Sequence, residues 1–151
     1  MASPIADAHN WKRYRYDVDG FTIEFPAEPQ AQPNDSKTGT RYIAALDNGN
    51  VVYLVEAAVL PSDLNKSSQQ VLDDYVQGTA RGIKGQLKES HPITLRGNPG
   101  RDFTLENERI ILRGRVYLVQ RTLYQLVAAA TKELAAGTEA ERFQNSFELV
   151  K

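Results

Sequence analysis

The sequence predicts an α+β domain: a mostly antiparallel sheet with a long helix and a short C-terminal helix packed on it. Three observations carry this. Asp19-Gly20 and Asn48-Gly49 each sit between apolar segments, and such pairs supply the positive φ that tight hairpin turns need. Residues 67–89 keep apolar side chains at helical spacing over many turns. A shorter helical pattern closes the chain at 138–147.

Residues 1–10 are small and polar, and are expected to form a flexible N-terminal arm ahead of a single domain over 11–151. Residues 14–18 and 21–25 read as strands around Asp19-Gly20, and Pro26 stops the second. From 26 to 40 the chain offers little to bury, which predicts a loop of above-average length. Residues 40–46 and 51–60 form a second hairpin across Asp47-Asn48-Gly49-Asn50. Its second strand is nearly continuous in apolar residues, so it is expected to be central and covered on both faces.

That demands another layer, and the next segment supplies one. Ser67-Ser68-Gln69-Gln70 fits a capping box. Leu72, Tyr75, Val76, Thr79, Ala80, Ile83 and Leu87 then share a helical face, predicting a helix over 67–89. Gly78, Gly82 and Gly85 form a stripe beside it, read as close packing on the sheet or a kink in the helix, with a groove for a loop or ligand as the alternative. His91-Pro92 is expected to end the helix. Residues 93–96, 101–106, 108–118 and 122–130 read as four more strands, with Gly97-Asn98-Pro99-Gly100 as a turn. Thr138-Glu139-Ala140-Glu141 fits a second capping box ahead of Ala140, Phe143 and Phe147. The order is four strands, a helix, four strands and a helix. Joined mostly by hairpins, it predicts an antiparallel sheet with helices on both sides, a three-layer sandwich.

Composition excludes several functions. The net charge is −1, so no overall field steers the chain to nucleic acid or to an anionic membrane. The chain has no cysteine, which removes disulfides, thiol nucleophiles and iron–sulfur clusters. No apolar run approaches the roughly 20 residues of a transmembrane segment. The small polar start fits a cytoplasmic chain and a mature exported chain with an added Met equally well.

Catalytic signals are lacking. His9 and His91 have no carboxylate or hydroxyl at a motif spacing, and no nucleophile elbow, zinc-protease or phosphate-loop motif is present. Asp47-Asn48-Asn50 reads as a turn rather than a calcium loop. No catalytic, cofactor or metal site is predicted. The arginines carry more information. Arg96, Arg101, Arg109, Arg113, Arg115 and Arg121 crowd one quarter of the chain. A strand's period of two puts Arg113, Arg115 and Tyr117 on one face. Guanidinium forks beside a phenol suit a carboxylate, a phosphate or an acidic partner, so these three are the candidate partner-binding residues. The alternative is a solvated face, or arginines paired with Glu across the sheet.

Several short motifs occur in a telling order: Trp11, Asp19-Gly20-Phe21, Phe25-Pro26 with Pro29, Gly97-Asn98-Pro99-Gly100-Arg101, Arg115-Val116-Tyr117, Leu123-Tyr124-Gln125-Leu126 and Arg142-Phe143-Gln144-Asn145-Ser146-Phe147. Together they resemble the PsbP-like α/β/α sandwich family, which includes small exported bacterial proteins of unknown function. The resemblance implies that fold, a periplasmic or otherwise exported location, and a non-enzymatic accessory role in which the partner is another protein. It implies no cofactor and carries over no functional residue. The alternative role is a small-ligand carrier with a pocket between the sheet and the long helix.

Overall fold

The computed structural model describes residues 10–35 and 37–150, so the predicted arm lies outside the described residues except for Asn10. The described chain folds into β1 (Lys12–Tyr16), β2 (Phe21–Phe25), β3 (Gln30–Pro33), β4 (Gly39–Leu46), β5 (Val51–Val59), α1 (Ser68–Ile83), β6 (Gln86–Leu95), β7 (Asn98–Glu106), β8 (Ile110–Val119), β9 (Thr122–Thr131), α2 (Lys132–Ala135), α3 (Ala140–Asn145) and β10 (Glu148–Leu149). A seven-stranded sheet runs β3-β4-β5-β9-β8-β7-β6, and a three-stranded sheet runs β1-β2-β10. Each pairing is antiparallel. The class is α+β, as predicted.

Strand alternation divides the apolar residues between two cores, one on each face of the large sheet. On one face α1 lays Val71, Leu72 and Val76 against Phe103, Leu105, Leu112, Val116, Leu118 and Leu123. On the other, α3 and the small sheet pack Phe21, Ile23, Phe25, Phe143 and Phe147 against Tyr53, Val55, Leu126 and Tyr117. The outer layer opposite α1 is therefore a short helix together with a small sheet. Each face carries an aromatic ring across a glycine. Phe103 pairs with Gly114 on the α1 side, and Tyr117 pairs with Gly100 on the α3 side. A Cβ on Gly114 would stand 2.3 Å from Phe103 Cζ, and one on Gly100 would stand 2.6 Å from Tyr117 Cδ1.

Several elements differ from the sequence expectation. Helix α1 stops at Ile83, where Lys84 turns left-handed at φ 54° and sends its N–H back to Ala80 and Arg81. Residues 86–95 then pair with β7, so His91-Pro92 lies inside an edge strand and ends no helix. Leu87 fits the helical spacing but is 42% exposed; pairing with β7 outweighs helical periodicity there. Ser67 Oγ accepts from Gln70 N–H at 3.1 Å as expected, whereas the Gln70 amide turns to Asp74 and no reciprocal box forms. At the second box Thr138 Oγ1 donates to Ala135 O, and Glu139 makes no cap bond. Gly78 and Gly82 face solvent, and a Cβ on Gly82 would meet nothing within 4 Å, so these two do not serve close packing; Gly85 does, since a Cβ there would stand 2.9 Å from Ile83 Cδ1 and 3.1 Å from Glu106 O.

The loop predicted over 26–40 contains β3, an exposed edge strand. The first hairpin turns through four residues with positive φ at Gly20 alone, not through a two-residue Asp-Gly turn. Strand β5 buries Val51, Tyr53, Val55 and Ala57 on one face, while Val52 and Leu54 on the other are only half-buried. Helix α1 covers the β7 and β8 half of that face and leaves them uncovered.

Candidate functional site

The pleat of β8 puts Arg113, Arg115 and Tyr117 on the face that carries α3, and the structure employs two of them internally. Tyr117 is 5% exposed and stacks on Phe147 with ring centroids 6.0 Å apart. Arg115 donates from Nε to Asp102 Oδ2 at 2.7 Å and from Nη1 to Asn145 Oδ1 at 2.8 Å, tying β7 to the end of α3. The Arg113 carbonyl accepts from Gln144 Nε2 at 3.0 Å, while its side chain lines a cleft beside α2. The open Arg-Tyr face expected from sequence is thus a seat for the chain's own C-terminal segment, with Arg113 at its uncovered margin. Trp11 has a similar internal role. Its indole N–H donates to Glu139 at 3.1 Å, its ring meets Tyr53 edge-on, and Arg142 lies over it at 4.8 Å.

A cleft lies at the hairpin ends. Its volume is about 590 Å3, and it is lined by the β1–β2 turn (Asp17, Val18, Asp19, Gly20), the β6–β7 turn (Arg96, Asn98), the β8–β9 turn (Val119, Gln120, Thr122), and Tyr124 and Leu149. The sheet brings these tips together because β7, β8 and β9 are consecutive neighbours and β2 packs over them. Turn chemistry keeps the tips short: Arg96, Gly97 and Gln120 take positive φ.

Two tyrosines hold the first tip in place. Tyr42 Oη donates to Asp19 Oδ2 at 2.5 Å, and Tyr124 Oη donates to Asp19 O at 2.6 Å. Burial, and then the Asp19 carboxylate, push the Tyr42 hydroxyl well above the usual tyrosine range, so it remains a donor in mild alkali. Burial raises Tyr16, stacked on Tyr42 at 3.8 Å, to about 12. Beyond this clamp Val18 projects 99% exposed, between Asp17 and Asp19. Sequence reasoning missed this site because it placed Val18 in a strand. An apolar residue between two acids at a turn was the available signal.

Among the described residues, no group of three or more His, Cys, Asp or Glu gathers to hold a metal. The cleft instead offers mixed polar and apolar walls on short, braced loops, which suits recognition of a surface.

No protein-family model matches the chain, and neither does any curated protein. Solved structures do. The solution structure of cyanobacterial PsbP (CyanoP) from Synechocystis sp. PCC 6803 aligns with a TM-score of 0.69 at 11% identity, over 93% of this chain and 93% of that one. The chain has a PsbP-like fold. The Saccharomyces cerevisiae Ran-binding protein Mog1p shares this PsbP-like arrangement, with a TM-score of 0.58 at 10% identity over 95% of this chain and 97% of that one. LpqN of Mycobacterium tuberculosis, described as involved in cell envelope biogenesis, gives 0.54 at 14% identity over 94% and 91%. At such identities the likeness shows fold alone.

Proposed function

We propose that this chain is a non-enzymatic, exported accessory domain that binds another protein through the cleft at its hairpin tips. The observation that carries this reading is the convergence of three turns around a cleft of about 590 Å3 with Val18 at its rim. The tips are braced before any partner arrives, which lowers the entropy lost on binding. A protein with this fold is named as Ran-binding, and another as involved in envelope biogenesis; these support a protein partner and an envelope setting. Among the described residues no helix is long and apolar enough to cross a membrane.

The test is affinity capture from a native envelope extract. Wild type is compared with Val18→Asp, Arg96→Glu and Gln32→Lys, the last on the exposed strand β3. Val18 is solvent-exposed, so its replacement should leave stability within about 0.5 kcal/mol. A discrete protein held by wild type and Gln32→Lys but lost from Val18→Asp and Arg96→Glu is expected. The same captured set with all four chains would overturn the assignment.

A further inference from the structure

The geometry points to a second site, a carboxylate-binding notch built on Arg113. Four arginines of the described chain are half-buried: Arg41, Arg101, Arg113 and Arg115. Three of them hold a carboxylate. Arg41 Nε reaches Glu56 at 3.0 Å, Arg101 pairs with Asp73, and Arg115 Nε reaches Asp102 at 2.7 Å. The Arg113 guanidinium has no ion pair or hydrogen bond among the described residues. A guanidinium at the wall of a cleft with no anion of its own keeps its forked donors for an arriving carboxylate.

The surroundings define what that carboxylate carries. Arg113 lines a cleft of about 280 Å3 whose other walls are Ile111, Ala128, Ala130, Ala135, Ala136, Thr138 and Lys132. Ala128 and Ala130 belong to the core under α2, so the floor is preformed. Thr138 spends its hydroxyl on Ala135 O, which removes a polar competitor. Lys132 Nζ is held by the carboxylate of Glu106 at 3.0 Å, so the other cation on this rim is already paired. The notch therefore offers one free forked donor above a small apolar floor. Its volume is at the small end for ligand sites. It suits a carboxylate on a short aliphatic group: a free branched acid, or the C-terminal residue of a peptide.

This site stands apart from the hairpin-tip cleft. Arg113 and Val119 are six residues apart on β8, which is about 20 Å at the rise of a strand. The inference goes beyond the proposed partner-binding role and does not rest on it.

Backbone amide NMR titration tests it with four probes. These are isovalerate, an acetylated tetrapeptide ending in valine, the same peptide amidated, and inorganic phosphate. Both acids are expected to move the Ala128, Ala130, Ala135 and Ala136 signals to saturation. The amidated peptide should bind about tenfold or more weakly, and Arg113→Met should weaken both acids as much. Ala136→Phe, at an exposed position on the mouth, keeps the guanidinium and should also abolish the shifts. Tighter binding of the peptide acid than of isovalerate assigns the ligand to a peptide C-terminus, and equal binding assigns it to a free acid. Val18→Asp should titrate as wild type does, so failure of either site is seen separately. Equal binding of the amidated peptide, unchanged binding by Arg113→Met, phosphate matching the acids, or no shift with any probe would each overturn the assignment.

Discussion

Replacing Gly114 by alanine tests how the sheet accepts helix α1. Gly114 has no positive φ, so its value lies in space and not in backbone freedom. The added Cβ would lie 2.3, 2.7 and 2.9 Å from three atoms of the Phe103 ring. That ring is fully buried and meets Tyr75 of α1 edge-on at 6.0 Å. It cannot slide without pushing on the helix. Overpacking of this kind costs about 1–3 kcal/mol. Opposing it, Gly→Ala restricts the unfolded chain and stabilises by about 0.4–1 kcal/mol where the site is open. Overpacking wins, leaving a net loss of about 1–2 kcal/mol and a Tm lower by about 2–8 °C. Urea unfolding followed by circular dichroism measures the loss. The sign should reverse in a Phe103→Leu background, where the distal ring atoms are gone. Equal or higher stability of Gly114→Ala in the wild-type background would refute the close approach.

Three further outcomes follow from the same contacts. Tyr42, Tyr16 and Tyr75 stay neutral in the fold above their ordinary value of 10.0. Stability is therefore full below pH 10 and lost as pH rises through the raised folded values, by up to about 1.4 kcal/mol per pH unit for each tyrosine. Tyr42→Phe should flatten that alkaline slope by about one proton, read from urea midpoints between pH 9 and 12; an unchanged slope would contradict it. Tyr124→Phe removes the bond to Asp19 O, and should cost about 1 kcal/mol and weaken partner capture while Val18 stays in place. Capture at wild-type strength would show that the clamp does not matter. Ser67→Ala removes the bond to Gln70 N–H and should cost about 1 kcal/mol in urea unfolding, with Ser67→Gly losing less. Equal losses for both would deny the cap.

Much of the fold was legible because strands and helices that bury one face leave a period in the sequence. Strands β2, β5 and β9 and the start of α1 could be read this way. Strand β3 left no such trace, since all four of its residues are exposed, and its pairing with β4 is a backbone matter. The end of α1 was misread because Leu87 keeps helical spacing while Lys84 turns left-handed. That turn depends on β7 receiving the next ten residues as an edge strand, a long-range contact that local pattern does not encode. Period two correctly grouped Arg113, Arg115 and Tyr117. It could not show that Gly100 opens a bed for the Tyr117 ring, or that Asn145 returns from the far end of the chain to meet Arg115. The hairpin-tip cleft was illegible for the same reason: Asp19, Arg96 and Gln120 are distant in sequence and meet only once the sheet has formed.

Site-specific photo-crosslinking in living cells tests the partner-binding claim most directly. A photoreactive side chain is placed at Val18 and, separately, at Gln32. One crosslinked product of defined mass from position 18, with none from position 32, is the expected result. Crosslinking that is the same from both positions, or silent at position 18 while the chain remains folded, would contradict it.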